Sequence, residues 1–79
     1  PFITKPLSTD HKLKRFSDSH CLTEREKELV SYLMQGMSNN EIAEEMFVEL
    51  STVKRHIQNI FQKTSLSSRF SLTQKVLEP

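Results

Sequence analysis

Apolar residues recur at helical spacing through most of this chain. Leu29, Val30, Leu33 and Met34 form one stripe, and Ile42, Ala43 and Met46 a second. Val53, Ile57, Ile60 and Phe61 form a third, Leu72 and Val76 a fourth. Steps of three and four residues put each set on one face of a helix. The starts are marked as well. Thr23-Glu24-Arg25-Glu26 and Ser38-Asn39-Asn40-Glu41 are capping boxes, in which the hydroxyl takes an orphan N–H and the glutamate reaches back to the cap. Gly36 supplies the left-handed residue that ends a helix. The pattern predicts a first helix from Thr23 to Gly36, a second from Glu41 to about Met46, a third from about Leu50 to Thr64 and a fourth from about Arg69 to Leu77. Ser67 or Ser68 caps the fourth, and Leu66 fills the gap under the preceding turn. Phe47 and Val48 fit no helical register and are assigned to a tight turn that faces the core.

Residues 1–20 show no such period. They hold Pro1, Pro6, several Ser/Thr and the basic run His11–Arg15, and read as a linker or tail, disordered or loosely docked. Phe2, Ile3, Leu7, Leu13 and Phe16 are its only means of packing onto the domain. The expected fold is therefore all-α: a four-helix domain over 21–78 containing a helix-turn-helix, preceded by an irregular tail.

Composition supports this reading. A chain of 79 residues allows one small domain. Pro stands only at 1, 6 and 79 and Gly only at 36, which leaves no material for hairpins. The single Cys21 allows no internal disulfide, no apolar run approaches the ~20 residues of a membrane span, and the N-terminus is too polar for a signal peptide. A cytoplasmic location is expected, with no membrane partner. A chain that starts at Pro1 rather than Met is expected to be a piece of a longer protein.

The net charge of +1 hides a division. Residues 22–50 carry seven acids and two bases, whereas 51–75 carry five bases and no acid. A basic half beside an acidic half suggests that one face meets a polyanion. Two helices joined by a very short turn, the second basic on its outer face, make a helix-turn-helix. Ala43 is small where the helices cross, and Val53, ten residues later, is β-branched where the second helix must be locked. The outer face of the third predicted helix carries Thr52, Lys54, Arg55, Gln58, Gln62 and Lys63, the candidate DNA-binding set. Lys54 and Arg55 suit phosphates and guanine edges, Gln58 suits adenine, and Thr52 suits a cap or a phosphate. Lys12, Lys14 and Arg15 in the tail are expected to add phosphate contacts. Arg69 is divided between DNA and a salt bridge to an acid of the first predicted helix.

Catalysis has little to work with. Asp occurs only at 10 and 18, and no Gly-rich phosphate loop or Ser/His/Asp set is present. His56 lies beside the core stripe and reads as structural; His20 and Cys21 are neighbours without a second pair at metal spacing. The expectation is no enzyme, no cofactor and no metal.

The stretch LTEREKELVSYLMQGMSNNEIAEEMFVELSTVKRHIQNIFQKTSLSSR resembles the DNA-binding domain of the LuxR/NarL/FixJ (GerE-like) bacterial regulators. The matching positions are Leu22-Thr23, Arg25-Glu26, Gly36, Ser38-Asn39, Glu41-Ile42-Ala43, Thr52-Val53-Lys54, His56, Ile60, Lys63 and Arg69. The resemblance implies sequence-specific binding of double-stranded DNA by the C-terminal effector domain of a transcription regulator, with the third helix in the major groove. It also implies a sensory, receiver or ligand-binding domain upstream, RNA polymerase as a further partner, and homodimers formed through the fourth helix, where Phe70, Thr73 and Leu77 lie within two turns. The chain departs from the family at Glu49, where Ser or Thr usually caps the recognition helix, and at Phe70 and Leu72, where smaller residues are common. Two other readings compete: a sigma-factor-like promoter reader, and a helical protein-interaction module derived from a helix-turn-helix.

Overall fold

The computed structural model describes residues 7–78, with side chains from residue 11 onward. Five helices follow one another: α1 (Leu7–Ser19), α2 (Glu24–Met34), α3 (Asn39–Met46), α4 (Leu50–Thr64) and α5 (Arg69–Leu77). No strand occurs among the described residues. The last four are the helices expected from the periodicity. Both capping boxes form: Thr23 and Ser38 accept from the N–H of Glu26 and Glu41, whose carboxylates accept from the cap N–H at 2.9 and 2.8 Å. Ser68 caps α5 by accepting from the Ser71 N–H.

α2 is the hub, touching the four other helices, while α1 packs on α2 and α5, and α4 on α2 and α3. Leu29, Val30, Leu33, Ile42, Val53, Ile60, Leu72 and Val76 meet in one core.

The N-terminal tail differs from its reading. Residues 7–19 form a regular helix, and Leu13 and Phe16 join the core. The stripe that docks is Leu13, Phe16, Ser17 and His20, at steps of three and four, with Phe16 and His20 rings 4.6 Å apart. Only two of its four members are aliphatic or phenyl, so the helix is amphipathic but poorer in apolar residues than α2 and does not stand out in the sequence. Tertiary burial stabilises this helix, as it does most helices in small proteins. Lys12 fastens it by donating to the Leu77 carbonyl at the end of α5, 3.0 Å away. Phe2 and Ile3 lie outside the described residues, as does the side chain of Leu7.

The turns share one construction. α1, α2, α3 and α4 are each followed by a residue in the left-handed region: Cys21 (φ 57°), Gly36 (φ 83°), Phe47 (φ 57°) and Ser65 (φ 61°). The next residue donates its N–H back five positions: Leu22 to Ser17, Met37 to Tyr32, Val48 to Ala43 and Leu66 to Phe61, over 2.9–3.2 Å. This is the Schellman pattern, which satisfies carbonyls that a helix end leaves open. In each turn the left-handed residue is exposed and the apolar one after it packs on the core. Phe47 therefore does not face the core as expected. It occupies the outward position of its turn, and only Val48 returns.

Candidate nucleic-acid interface

α3, its turn and α4 form a helix-turn-helix. α3 packs on α4, and Ala43 and Val53 are both buried, in one core with Ile42, Met46 and Ile60. Val53, Ile60 and Thr64 are the buried face of α4, with Ile57 and Phe61 half-buried beside them. Thr64 turns its hydroxyl onto the Ile60 carbonyl at 2.8 Å, so this polar residue enters the core satisfied.

The opposite face is open. Ser51, Arg55, Gln58 and Gln62 follow one another at steps of four, three and four, and all are exposed, with Lys54 and Asn59 on either side. Neither Lys54 nor Arg55 pairs with an acid among the described residues. No acid lies within α4 itself. Ser51 and Asn59 are on this side of α4 as well, though not among the residues expected from sequence. The signal was their spacing of four from Arg55, which places them on its face. Thr52 is half-buried on the flank, and the N-cap is Glu49 rather than Thr52.

Glu49 adopts extended geometry but makes no side-chain cap bond, unlike Thr23, Ser38 and Ser68. The first N–H groups of α4 thus have no side-chain partner, and an exposed carboxylate stands beside them.

Lys63, an expected DNA contact, and Arg69, divided between DNA and a salt bridge, both make contacts within the fold. Lys63 lies on the flank of α4 that meets α2, where its ammonium donates to Glu26 Oε1 at 2.8 Å and to the Cys21 carbonyl at 3.4 Å. Arg69 reaches no acid of α2. It donates to the Met37 carbonyl at 2.9 Å and to the Asn39 side chain, bracing the turn that opens α3. Lys12 on the Leu77 carbonyl and Arg25 on the Met46 carbonyl, 3.4 Å away, each serve the last residue of a helix. Lysine and arginine suit those positions because the helix dipole is negative there.

Glu26 is the most constrained acid. Its side chain is 5% exposed and it holds both the Thr23 N–H and Lys63. Burial acts to raise its pKa, but the Lys63 hydrogen bond, the Thr23 N–H and the Lys63 charge together outweigh burial and hold it below the ordinary carboxylate value.

On α5, Leu72 and Val76 point inward as expected, whereas Phe70 is 73% and Leu77 43% exposed, with Thr73 half-buried between them. α1 packs on α2 and α5 and makes no contact with α4. Its basic residues Lys12, Lys14 and Arg15 do not extend the α4 face, and Lys14 pairs with Asp18 at 3.2 Å.

An all-helical body with a helix-turn-helix and an acid-free outer helix has the architecture of a helix-turn-helix DNA-binding domain. Residues 20–76 match the family described as "Bacterial regulatory proteins, luxR family". The chain belongs to that family. It is 45% identical over 53 residues to the CsgBAC operon transcriptional regulatory protein of Escherichia coli, covering 67% of this chain and 24% of that protein. It is 46% identical over 48 residues to the transcriptional regulatory protein LiaR of Bacillus subtilis, covering 61% and 23%. Against the spore germination protein GerE of Bacillus subtilis it is 40% identical over 58 residues, covering 73% of this chain and 78% of GerE. The chain thus spans about a quarter of the first two relatives and most of the third. No solved structure matches it. Among the described residues, no helix is long and apolar enough to cross a membrane.

Proposed function

We propose that α4 lies in the major groove of duplex DNA and reads sequence through Ser51, Arg55, Gln58 and Gln62, with Lys54, Asn59 and Thr52 toward the phosphates. The observation that carries this reading is the outer face of α4. It offers two bases without acidic partners among the described residues, several amides and no acid, on a helix held end-on by the α3 turn. A major groove about 12 Å wide admits one helix, and Arg and Gln match guanine and adenine edges there. Lys63 is not in the set, because Glu26 holds it.

The same reading makes residues 21–78 the C-terminal effector of a longer cytoplasmic regulator, without catalysis or cofactor of its own. A receiver or ligand-binding domain would supply its input and RNA polymerase would be its downstream contact. Two copies would associate through Phe70, Thr73 and Leu77 of α5 on paired half-sites. Support for that pairing is the exposure of Phe70 and Leu77 two turns apart on one helix.

The test is anisotropy of the chain with duplexes selected from a random pool, repeated across salt. Lys54 and Arg55 bring two positive charges to the duplex, one toward the phosphates and one toward the bases, so log affinity should fall with log salt at a slope of about −1 to −2 per protomer. A flat response removes the DNA reading, and binding indifferent to half-site spacing removes the α5 dimer.

A further inference from the structure

Phe47 is 93% exposed, the most exposed large apolar residue among those described. It also sits at φ 57° and ψ 45°, a conformation disfavoured for any bulky side chain and usually left to Gly or Asn. Neither the core nor solubility gains from a phenyl ring in that place. Its backbone does all the structural work of the turn: the Phe47 N–H donates to Glu44, and Val48 carries the apolar contact back to the core. No aromatic partner meets the ring among the described residues. An outlier of this kind points to a role outside the fold.

Its place in the chain narrows that role. Phe47 stands two residues before Glu49, the N-cap of α4, and four before Ser51, the first exposed residue of the reading row. The N-terminal part of a recognition helix is the part that meets base edges. The major groove is lined by polar groups and presents one apolar group, the C5 methyl of thymine, against which phenylalanine packs. We infer that Phe47 is a specificity residue, packing its ring on a thymine methyl at the end of the half-site nearest the α4 N-terminus. This inference rests on α4 being the reading helix.

The 79-residue chain and duplexes selected from a random pool provide the test. Each thymine of the preferred half-site is replaced in turn by deoxyuridine, which removes only the methyl. At one position the affinity of the unsubstituted chain should fall about three- to fivefold, the worth of one buried methyl. Phe47→Asn suits the left-handed turn and keeps the fold, which its thermal melt checks. That variant should bind thymine and uracil duplexes equally at that position while keeping the salt slope of the unsubstituted chain. Three results would overturn the inference: Phe47→Asn still distinguishes the methyl, it binds every duplex as the unsubstituted chain does, or it loses affinity evenly for all sequences. The second would place a protein partner or solvent on the ring, and the third a sugar. Failure of the unsubstituted chain to bind any duplex would overturn the role of α4 as well, which separates the two failures.

Discussion

Replacing Glu26 by alanine should destabilise the domain by about 2 kcal/mol, and the structure shows how that figure arises. The carboxylate accepts the Thr23 N–H at 2.9 Å and the Lys63 ammonium at 2.8 Å, and its side chain is 5% exposed. Each charge-assisted hydrogen bond is worth about 1.5–3 kcal/mol. Removing the acid also removes the penalty of burying it, and breaking a buried pair is severe only when the remaining charge is stranded. Lys63 is 37% exposed, so its ammonium regains water. Two such bonds would sum to about 3–6 kcal/mol, and the recovered burial penalty with the rehydrated ammonium brings the net below that sum, to about 2 kcal/mol. For a domain of this size 1 kcal/mol shifts the melting temperature by about 4–8 °C, so Glu26→Ala should melt about 8–16 °C lower. A double-mutant cycle with Lys63→Ala, read by urea denaturation, should give a coupling of at least about 1 kcal/mol. The pH dependence has a definite sign. The native carboxyl lies below the ordinary value of 4.5, so the unfolded chain binds the proton more tightly. The stabilisation is intact above about pH 4.5 and is lost as pH falls through the lowered native value. Glu26→Gln should flatten that acid limb. Melting within about 2 °C of the unsubstituted chain for Glu26→Ala, or coupling below about 0.3 kcal/mol, would refute the reasoning.

Other expectations follow from the turns and from α4. Ser65→Gly should raise stability by up to about 1 kcal/mol, since Ser65 is left-handed at φ 61° and glycine adopts that conformation without steric cost; a calorimetric melt decides. Glu49→Ser should add the missing cap and remove a negative charge from the groove side, stabilising by about 0.5–1 kcal/mol and tightening DNA binding, both measurable on one preparation. Arg55→Ala and Gln58→Ala should each cost about 1–3 kcal/mol on the preferred site and relax preference at one base pair. Lys54→Ala should weaken all sequences evenly and reduce the salt slope by about 1; competition on a randomised half-site reveals whether the roles are reversed.

The helices 24–77 were legible because their signals are local. Thr23 and Ser38 each stand three residues before a glutamate, Gly36 marks one end, and the apolar steps fix which face of α4 is buried. What escaped the sequence depends on contacts across the chain. α1 carries few apolar residues, and Leu13 and Phe16 become a docking face only once α2 and α5 are present to receive them. Lys63 looks like a surface base on α4 until Glu26, 37 residues away, is brought to it. Phe47, being apolar, reads as inward from sequence alone. Its turn needed a left-handed residue, and in three of four cases this chain fills that position without glycine. The recurring clue was the apolar residue one place later, at Leu22, Met37, Val48 and Leu66. Of the exposed face of α4, Lys54, Arg55, Gln58 and Gln62 are visible from periodicity and charge, while Ser51 and Asn59 lack the charge that draws notice.

The four turns also set a timescale. Each closes within a few residues, joins helices that are neighbours in sequence, and holds no proline; residues 7–78 contain none at all. Helical domains whose contacts are mostly local fold in microseconds to milliseconds, and a body without proline has no isomerisation step of tens of seconds to wait for. The domain therefore re-forms quickly after each opening. When opening and closing are fast, exposure to proteases follows the equilibrium population of the open form rather than the speed of refolding. A weakened variant such as Glu26→Ala would lose operator occupancy in proportion to the fraction of molecules open at any instant, and a ligand that binds only the closed form, such as its own operator, would restore that fraction by mass action.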